Sequence, residues 1–170
     1  MAEAATCLPL AHLRTIDLAE ANAALVLWEH RMGPCNRPNQ DISAQGLFAG
    51  GELVAVTVTA SLIRETCAGL TRAEAVELAR LCAARPALCR VMLRMWREFV
   101  FVPACEFRTW RWAVSYQDER VHTGDTYRFD GWVRLARSRS GTDKRSGRCG
   151  RNKTIWGWHA DPMVRAAAAL

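Results

Sequence analysis

The stretch TRAEAVELARLCAA, Thr71–Ala84, supports two secondary structures, and the choice between them decides the fold. Its Ala, Leu, Glu and Arg content favours a helix, and Thr71 followed by Glu74 has capping-box spacing. The same residues also alternate. Over Ala75–Cys82, Val76, Leu78, Arg80 and Cys82 fall on one side and Ala75, Glu77, Ala79 and Leu81 on the other, as in a strand. Local propensity leaves both readings open.

The flanks are plainer. Upstream, Leu53–Ala60 alternates Val54, Val56 and Val58 with Ala55, Thr57 and Thr59, and Gly50-Gly51 separates it from Ala44–Ala49, which predicts a β-hairpin. His12–Ile16 reads as a strand. Asp17 with Glu20 caps a helix that carries Leu18, Ala21, Leu25 and Trp28 and stops before Gly33-Pro34. Downstream, Pro86 opens a helix whose expected buried face is Leu88, Met92, Met95, Trp96 and Phe99. Arg90, Arg94 and Arg97 make a basic stripe on it, read as a solvated face. Thr109–Tyr116 alternates as a strand. A short helix near Gly124–Asp130 ends at Gly131, and strands follow at Trp132–Ala136 and Thr154–His159. This order predicts an α+β sandwich: a mixed, mostly antiparallel sheet flanked by helices, in one domain over 1–170.

Composition narrows the class. The chain has 170 residues, half of them apolar, enough to bury a sizeable core. Ala21–Trp28, the longest apolar run of the first half, is too short to span a bilayer. MAEAATCLPL lacks a basic region followed by a long apolar one, so no signal peptide is expected and the default is a soluble cytoplasmic protein. The 7 cysteines are odd in number and lack CxxC spacing, which argues against a disulfide framework and a zinc ribbon. Net charge is +6, and arginine supplies almost all of the positive charge. From Arg134 to Lys153, the cations Arg134, Arg137, Arg139, Lys144, Arg145, Arg148, Arg151 and Lys153 face one acid, Asp143. A basic Gly/Ser-rich segment of this kind suits a phosphate backbone, with a solvated loop as the alternative.

SYQDERVHTGDTYRFDGW, Ser115–Trp132, packs many groups that hydrogen-bond, titrate or stack into one connection. Together with ELARL, Glu77–Leu81, it resembles the GNAT N-acetyltransferase fold. More narrowly it resembles the phage Mom family of DNA-modifying proteins, whose pattern here is similar to SYxD…HxGxxYxxxxW. The resemblance covers roughly residues 28–135 and makes Ala75–Cys82 the central strand. It implies transfer of a carbamoylmethyl (acetamido) group to adenine N6 in double-stranded DNA, in the cytoplasm of an infected or lysogenic bacterial host, which protects the DNA from restriction. The family's catalytic residues fall on Arg80, Asp118 and Tyr127. Ser115, Tyr116, His122, Gly124, Trp132 and Arg90 are the candidate substrate and donor contacts. The fold usually holds the coenzyme A pyrophosphate on a glycine-containing loop after the central strand. Here that loop is CAARPALCR, Cys82–Arg90, without glycine. The donor is therefore acetyl-coenzyme A or another acyl or aminoacyl group. Small hydroxyl residues common at this loop are absent too, with Cys89 the candidate substitute.

The chemistry asks for a base, because an attacking adenine amino nitrogen becomes positive and must lose a proton. Asp118 at a strand end suits that role, against the alternative that it caps the next turn. Tyr127 suits an acid or oxyanion donor, or else a core tyrosine with a satisfied hydroxyl. Arg80 suits a clamp on a donor's carbonyl or phosphate, or an ion pair with Glu77 or Asp118. His30, Asp118 and His122 are the residue types of an iron site, but a lone loop histidine is more often structural and no metal is assigned. Among the 7 tryptophans, Trp132, Trp156 and Trp158 could stack on a flipped base or pack the core. An ordinary acetyltransferase acting on a small amine or protein, and a non-catalytic nucleic-acid-binding protein, are the other readings. Oligomeric state, including a homodimer, stays open.

Overall fold

The computed structural model describes residues 11–37, 41–139 and 152–169. Its elements are β1 (Ala11–Ile16), α1 (Leu18–Leu27), β2 (Ile42–Ala49), β3 (Glu52–Ser61), β4 (Thr66–Cys67), β5 (Leu70–Thr71), β6 (Ala75–Ala83), α2 (Ala87–Trp96), α3 (Val102–Phe107), β7 (Trp112–Asp118), α4 (Asp125–Arg128), β8 (Val133–Arg139), β9 (Asn152–His159) and α5 (Pro162–Ala168). Seven strands form one sheet in the order β1-β2-β3-β6-β7-β9-β8. Only β6 and β7 run parallel; the other neighbours are antiparallel.

The ambiguous segment is a strand at the centre of this sheet. Ala75, Val76, Glu77 and Leu78 are consecutive buried residues, which a helix with one solvent face could not achieve. Helix propensity separates these residue types by at most about 0.7 kcal/mol each. Covering both faces of a strand yields about 25 cal/mol per Å² of apolar surface, and burial wins. The capping-box contact does form, with the Thr71 N–H donating to Glu74 Oε2 at 2.9 Å. It closes a turn before β6 instead of a helix.

The two faces of the sheet bury different clusters. Ile16, Ala21, Leu25, Val56 and Val58 pack beneath α1, whose N-cap Asp17 accepts from the Glu20 N–H at 2.6 Å. Val76, Leu78, Leu93, Trp96, Phe101 and three tryptophans, Trp132, Trp156 and Trp158, pack on the α2 side. Between α2 and α3 the helix widens into a π-turn at Arg97–Phe101. One extra residue in the turn rotates the later helical positions, so Phe101 is 2% exposed and the expected core residue Phe99 is 65% exposed. Leu93, absent from the expected face, is buried.

The arginine stripe of this helix is solvated at Arg90 and Arg94, yet two of its members also reach a buried carboxylate. Arg94 Nε lies 3.2 Å from Asp130 Oδ1, and Arg97 Nη1 lies 2.7 Å from Asp130 Oδ2. The buried carboxylate also accepts from Trp132 Nε1 at 3.2 Å. α4 and the residues after it are thereby locked onto α2. No helix among the described residues is long and apolar enough to cross a membrane.

Candidate active site

β6 and β7 stay paired for only three positions, Ala75↔Trp112, Val76↔Ala113 and Glu77↔Val114. Beyond them β6 follows β3 and β7 follows β9. A bulge explains the parting. β3 residues Val58 and Thr59 oppose Arg80 and Leu78, leaving Ala79 as the extra residue that bends β6. A gap opens in the middle of the sheet.

One side chain stitches the gap where the backbone ladder stops. Ser115 Oγ donates to the Leu78 carbonyl at 3.0 Å, and Tyr127 OH lies 2.9 Å from the same Oγ. Serine has one proton, spent on Leu78, so Tyr127 donates to Ser115. Trp156 stacks on the Tyr127 ring at 5.6 Å and Trp132 meets it edge-on at 5.4 Å. Burial raises the Tyr127 hydroxyl above the ordinary phenol range, with Ser115 opposing and the neighbouring Cys89 adding to the rise. Tyr127 is therefore protonated at neutral pH. Burial likewise lifts the Cys89 thiol to about 11, which keeps it a thiol. Gly124 makes the turn into α4 at φ 84°, where a Cβ would lie 2.6 Å from both Gln117 Oε1 and Trp156 Cζ2.

The other face of β7 carries Tyr116 and Asp118, because successive strand side chains alternate. Asp118 accepts from the Arg120 N–H at 3.0 Å, and Arg31 Nε stands 3.8 Å from it. Tyr116 OH contacts Cys67 Sγ at 3.0 Å. Burial, then that contact, push the Tyr116 hydroxyl upward. Glu77 is held by Arg37 through two bonds of 2.7 and 3.0 Å. Burial, Arg80 and His122 lower the His30 imidazole to about 4, so it is neutral. Its Nδ1 accepts from the Met32 N–H at 3.3 Å, which leaves the proton on Nε2.

Several expectations change in this setting. Asp118 and Tyr127 do not share a face; they flank the gap from opposite sides of the sheet. Arg80 gives Nε to Gly33 O at 3.0 Å, Nη2 to Pro34 O at 3.2 Å and Nη1 to Ala79 O at 2.8 Å. It anchors the loop after α1, and neither Glu77 nor Asp118 is its ion-pair partner. Trp132, Trp156 and Trp158 are core residues and present no open stacking platform. His122 contributes its carbonyl, which accepts from the Gln117 side-chain amide. Arg90 lies 5.6 Å over the exposed Phe129 ring. No group of three or more His, Cys, Asp or Glu among the described residues is arranged to hold a metal, so His30, His122 and Asp118 do not assemble one.

Of the basic segment, Arg134 stacks over Trp156 at 5.4 Å and Arg137 pairs with Glu119 at 3.1 Å. Lys153, opposite Asp118 in the sheet, covers the Tyr116 ring at 5.7 Å. The Arg139 side chain and Lys144, Arg145, Arg148 and Arg151 lie outside the described residues. The Arg37–Glu77 pair and the Cys67–Tyr116 contact were not anticipated. Their partners are 40 and 49 positions apart in sequence, with no motif to join them.

The loop on which the resemblance would place a coenzyme A diphosphate leads into the head of α2. The Ala84 N–H is spent on Val54 O at 2.9 Å, Pro86 has none, and the Leu88 and Cys89 N–H groups bond Arg85 O and Pro86 O at 2.9 and 3.1 Å. A convergent set of amides is lacking, and these residues do not fit a diphosphate.

No protein-family model and no curated protein matches the chain. Solved structures do. A probable acetyltransferase from Staphylococcus epidermidis is 12% identical with TM-score 0.61, over 89% of this chain and 100% of that one. Arabidopsis thaliana NAA60 in complex with acetyl-CoA is 10% identical with TM-score 0.60, over 89% and 99%. A probable GNAT-family acetyltransferase from Chromobacterium violaceum is 16% identical with TM-score 0.58, over 88% and 87%. The central parting of β6 and β7, the α2 side and the strand order therefore belong to one known architecture: this chain has the GNAT fold.

Proposed function

We propose that the protein transfers an acyl-type group to an amine, with donor and acceptor meeting in the gap between β6 and β7. The observation that carries this reading is the directed hydroxyl chain Tyr127 to Ser115 to Leu78 O, set where the strands part. Asp118 stands across the same strand on the acceptor side. The amine attacks the donor's carbonyl carbon and becomes positive. Its proton passes to the Asp118 carboxylate, within reach through the substrate or one water. As the carbon–leaving-group bond breaks, Tyr127 turns its O–H from Ser115 to the leaving atom and gives it the proton; after product leaves, the proton held on Asp118 goes to solvent and the Tyr127 phenolate takes one back from solvent. Ser115 fixes the Tyr127 rotamer in advance, which lowers the cost of reaching that geometry.

A second reading makes the acceptor the adenine N6 of double-stranded DNA; a carbamoylmethyl product then requires N6 to attack a methylene carbon that bears the leaving group, not a carbonyl carbon. Arg31, Arg137 and Lys153 favour it, because they lie at the Asp118 end of β7, β8 and β9. A small amine or a protein amine is the simpler acceptor, and a non-catalytic DNA-binding role is disfavoured by the intact hydroxyl chain.

One experiment separates the acceptors. Bacterial expression is followed by mass spectrometry of genomic nucleosides and of a panel of amines, with Tyr127→Phe alongside. Wild type should give a modified deoxyadenosine or an acylated amine. Tyr127→Phe should lower the rate about 10²-fold or more while remaining folded. A Tyr127→Phe protein with wild-type turnover removes the acid role. Absence of both products in well-expressed wild type removes the transferase reading.

A further inference from the structure

Tyr127 sits on very little regular structure of its own. We infer, resting on the transfer role proposed above for Tyr127, that Gln117 is its positioning residue: one buried amide fixes both the loop that delivers the tyrosine and the indole on which the phenol ring lies.

α4 has 4 residues, and its N-cap, Gly124, offers no side-chain hydrogen bond. A helix this short has no stability of its own, so other groups must hold Tyr127. Asp130 ties the residues after it to α2, and Ser115 meets its hydroxyl. The approach from β7 depends on Gln117. Ser115 and Gln117 are two positions apart on that strand, so both face the same side of the sheet. Gln117 is 5% exposed. Its Nε2 donates to the His122 carbonyl, in the loop that leads to Gly124. Its Oε1 accepts from Trp156 Nε1 at 2.7 Å. The Trp156 ring in turn lies 5.6 Å from the Tyr127 ring, with 18° between the planes. The Gly124 backbone closes against the same amide, because a Cβ there would lie 2.6 Å from Gln117 Oε1. A glutamine amide carries a donor and an acceptor at one end, and here each serves a different element around Tyr127. An apolar side chain in its place would leave the buried indole N–H without a partner. A displacement of about 1 Å at a reacting group can cost about 10²-fold in rate, so a residue that acts only through its neighbours can still set turnover.

The test reads the Tyr127 ring directly in the intact protein. The chain has 2 tyrosines, so ring-¹³C tyrosine labelling gives one NMR signal for each, assigned with Tyr116→Phe. Tyr116 lies on the opposite face of β7 with its hydroxyl on Cys67, and serves as the control for general loosening. Gln117→Met keeps an unbranched stem of similar length and removes both amide bonds. It should move the Tyr127 signal toward that of free tyrosine, leave the Tyr116 signal in place and lower kcat about tenfold or more at unchanged KM. Gln117→Glu sets a sharper condition. Its protonated carboxyl can donate to the His122 carbonyl, but its carboxylate cannot. Burial raises the pH at which such a carboxyl ionises. The Tyr127 signal in this variant should be native on the acid side and displaced as pH rises through that ionisation. Wild type keeps Asp118, Glu119, His122 and Arg134 around the same loop and the Trp156 ring, so it is the control for their charges and should show no such step. An unmoved Tyr127 signal in Gln117→Met, or equal movement of both tyrosines, would overturn the inference. So would a Gln117→Glu signal that stays native on the alkaline side. The spectra need no substrate: a chain that forms no product removes the transferase reading, while the placement of Tyr127 by Gln117 is judged by these signals.

Discussion

Gly124 shows how tightly single residues are specified here. Its φ of 84° and the 2.6 Å approach of Gln117 and Trp156 both exclude a side chain. Gly124→Ala should cost about 1–3 kcal/mol and displace Tyr127, read as a lower urea midpoint together with weaker turnover. An unchanged midpoint would mean that Gln117 and Trp156 yield freely. His30 carries a pH signature. Its folded pKa of about 4 lies below the ordinary 6.5, so between those values the unfolded chain binds more protons than the native one. The stability it contributes is complete above pH about 6.5 and is lost as pH falls toward about 4. Urea midpoints across that window should decline, and His30→Asn should flatten the decline because an amide oxygen can still accept from Met32. A variant that declines as steeply as wild type would assign the slope to other groups. Ser115, Gly124 and Tyr127 were legible in the sequence because they are close in the chain. Glu77 with Arg37, and Cys67 with Tyr116, were not, because their pairing exists only after the sheet forms.

At the scale of elements, the lock between α2 and α4 decides where Tyr127 sits. Asp130 is fully buried and is met by Arg97, Arg94 and Trp132 Nε1. Removing one partner of a buried pair leaves the other charge uncompensated. Asp130→Ala should therefore cost about 3 kcal/mol and loosen α4, measured by urea unfolding and by faster amide exchange over 125–131. A loss under about 1 kcal/mol would reduce the contact to a surface pair. The π-turn after α2 belongs to the same device. It brings Phe101 under Trp96 and Trp158 and turns Phe99 outward. Helical periodicity correctly assigned the start of this face, at Met92 and Trp96, and failed after it. An extra backbone residue in a turn leaves no mark in hydrophobic spacing.

Across the whole molecule, the sheet works as a partition with one opening. One face carries Ser115 and Tyr127, the proposed donor side; the other carries Asp118 near Arg31 and Lys153, the proposed acceptor side. If the acceptor is DNA, affinity should fall steeply with salt. Replacing Arg137 or Lys153 by Ala should reduce the slope of log K against log salt by about one each, measured by anisotropy titrations at several salt concentrations. A slope near zero would exclude a phosphate-tracking role for these cations. The amino-acid order alone was enough for β1, α1 with its cap at Asp17, the β2–β3 hairpin, the start of α2, and β7, α4, β8 and β9. These rest on turn chemistry and short-range periodicity, which act between near neighbours. It took the assembled sheet to make Thr71–Ala84 yield a central strand, to send Arg80 to the loop after α1, and to face Asp118 away from Tyr127. Burial on both faces outweighs local propensity in the first case. In the others, a single bulge at Ala79 and the alternation of strand side chains set which face each group reaches, and neither is visible until the neighbouring strands are in place.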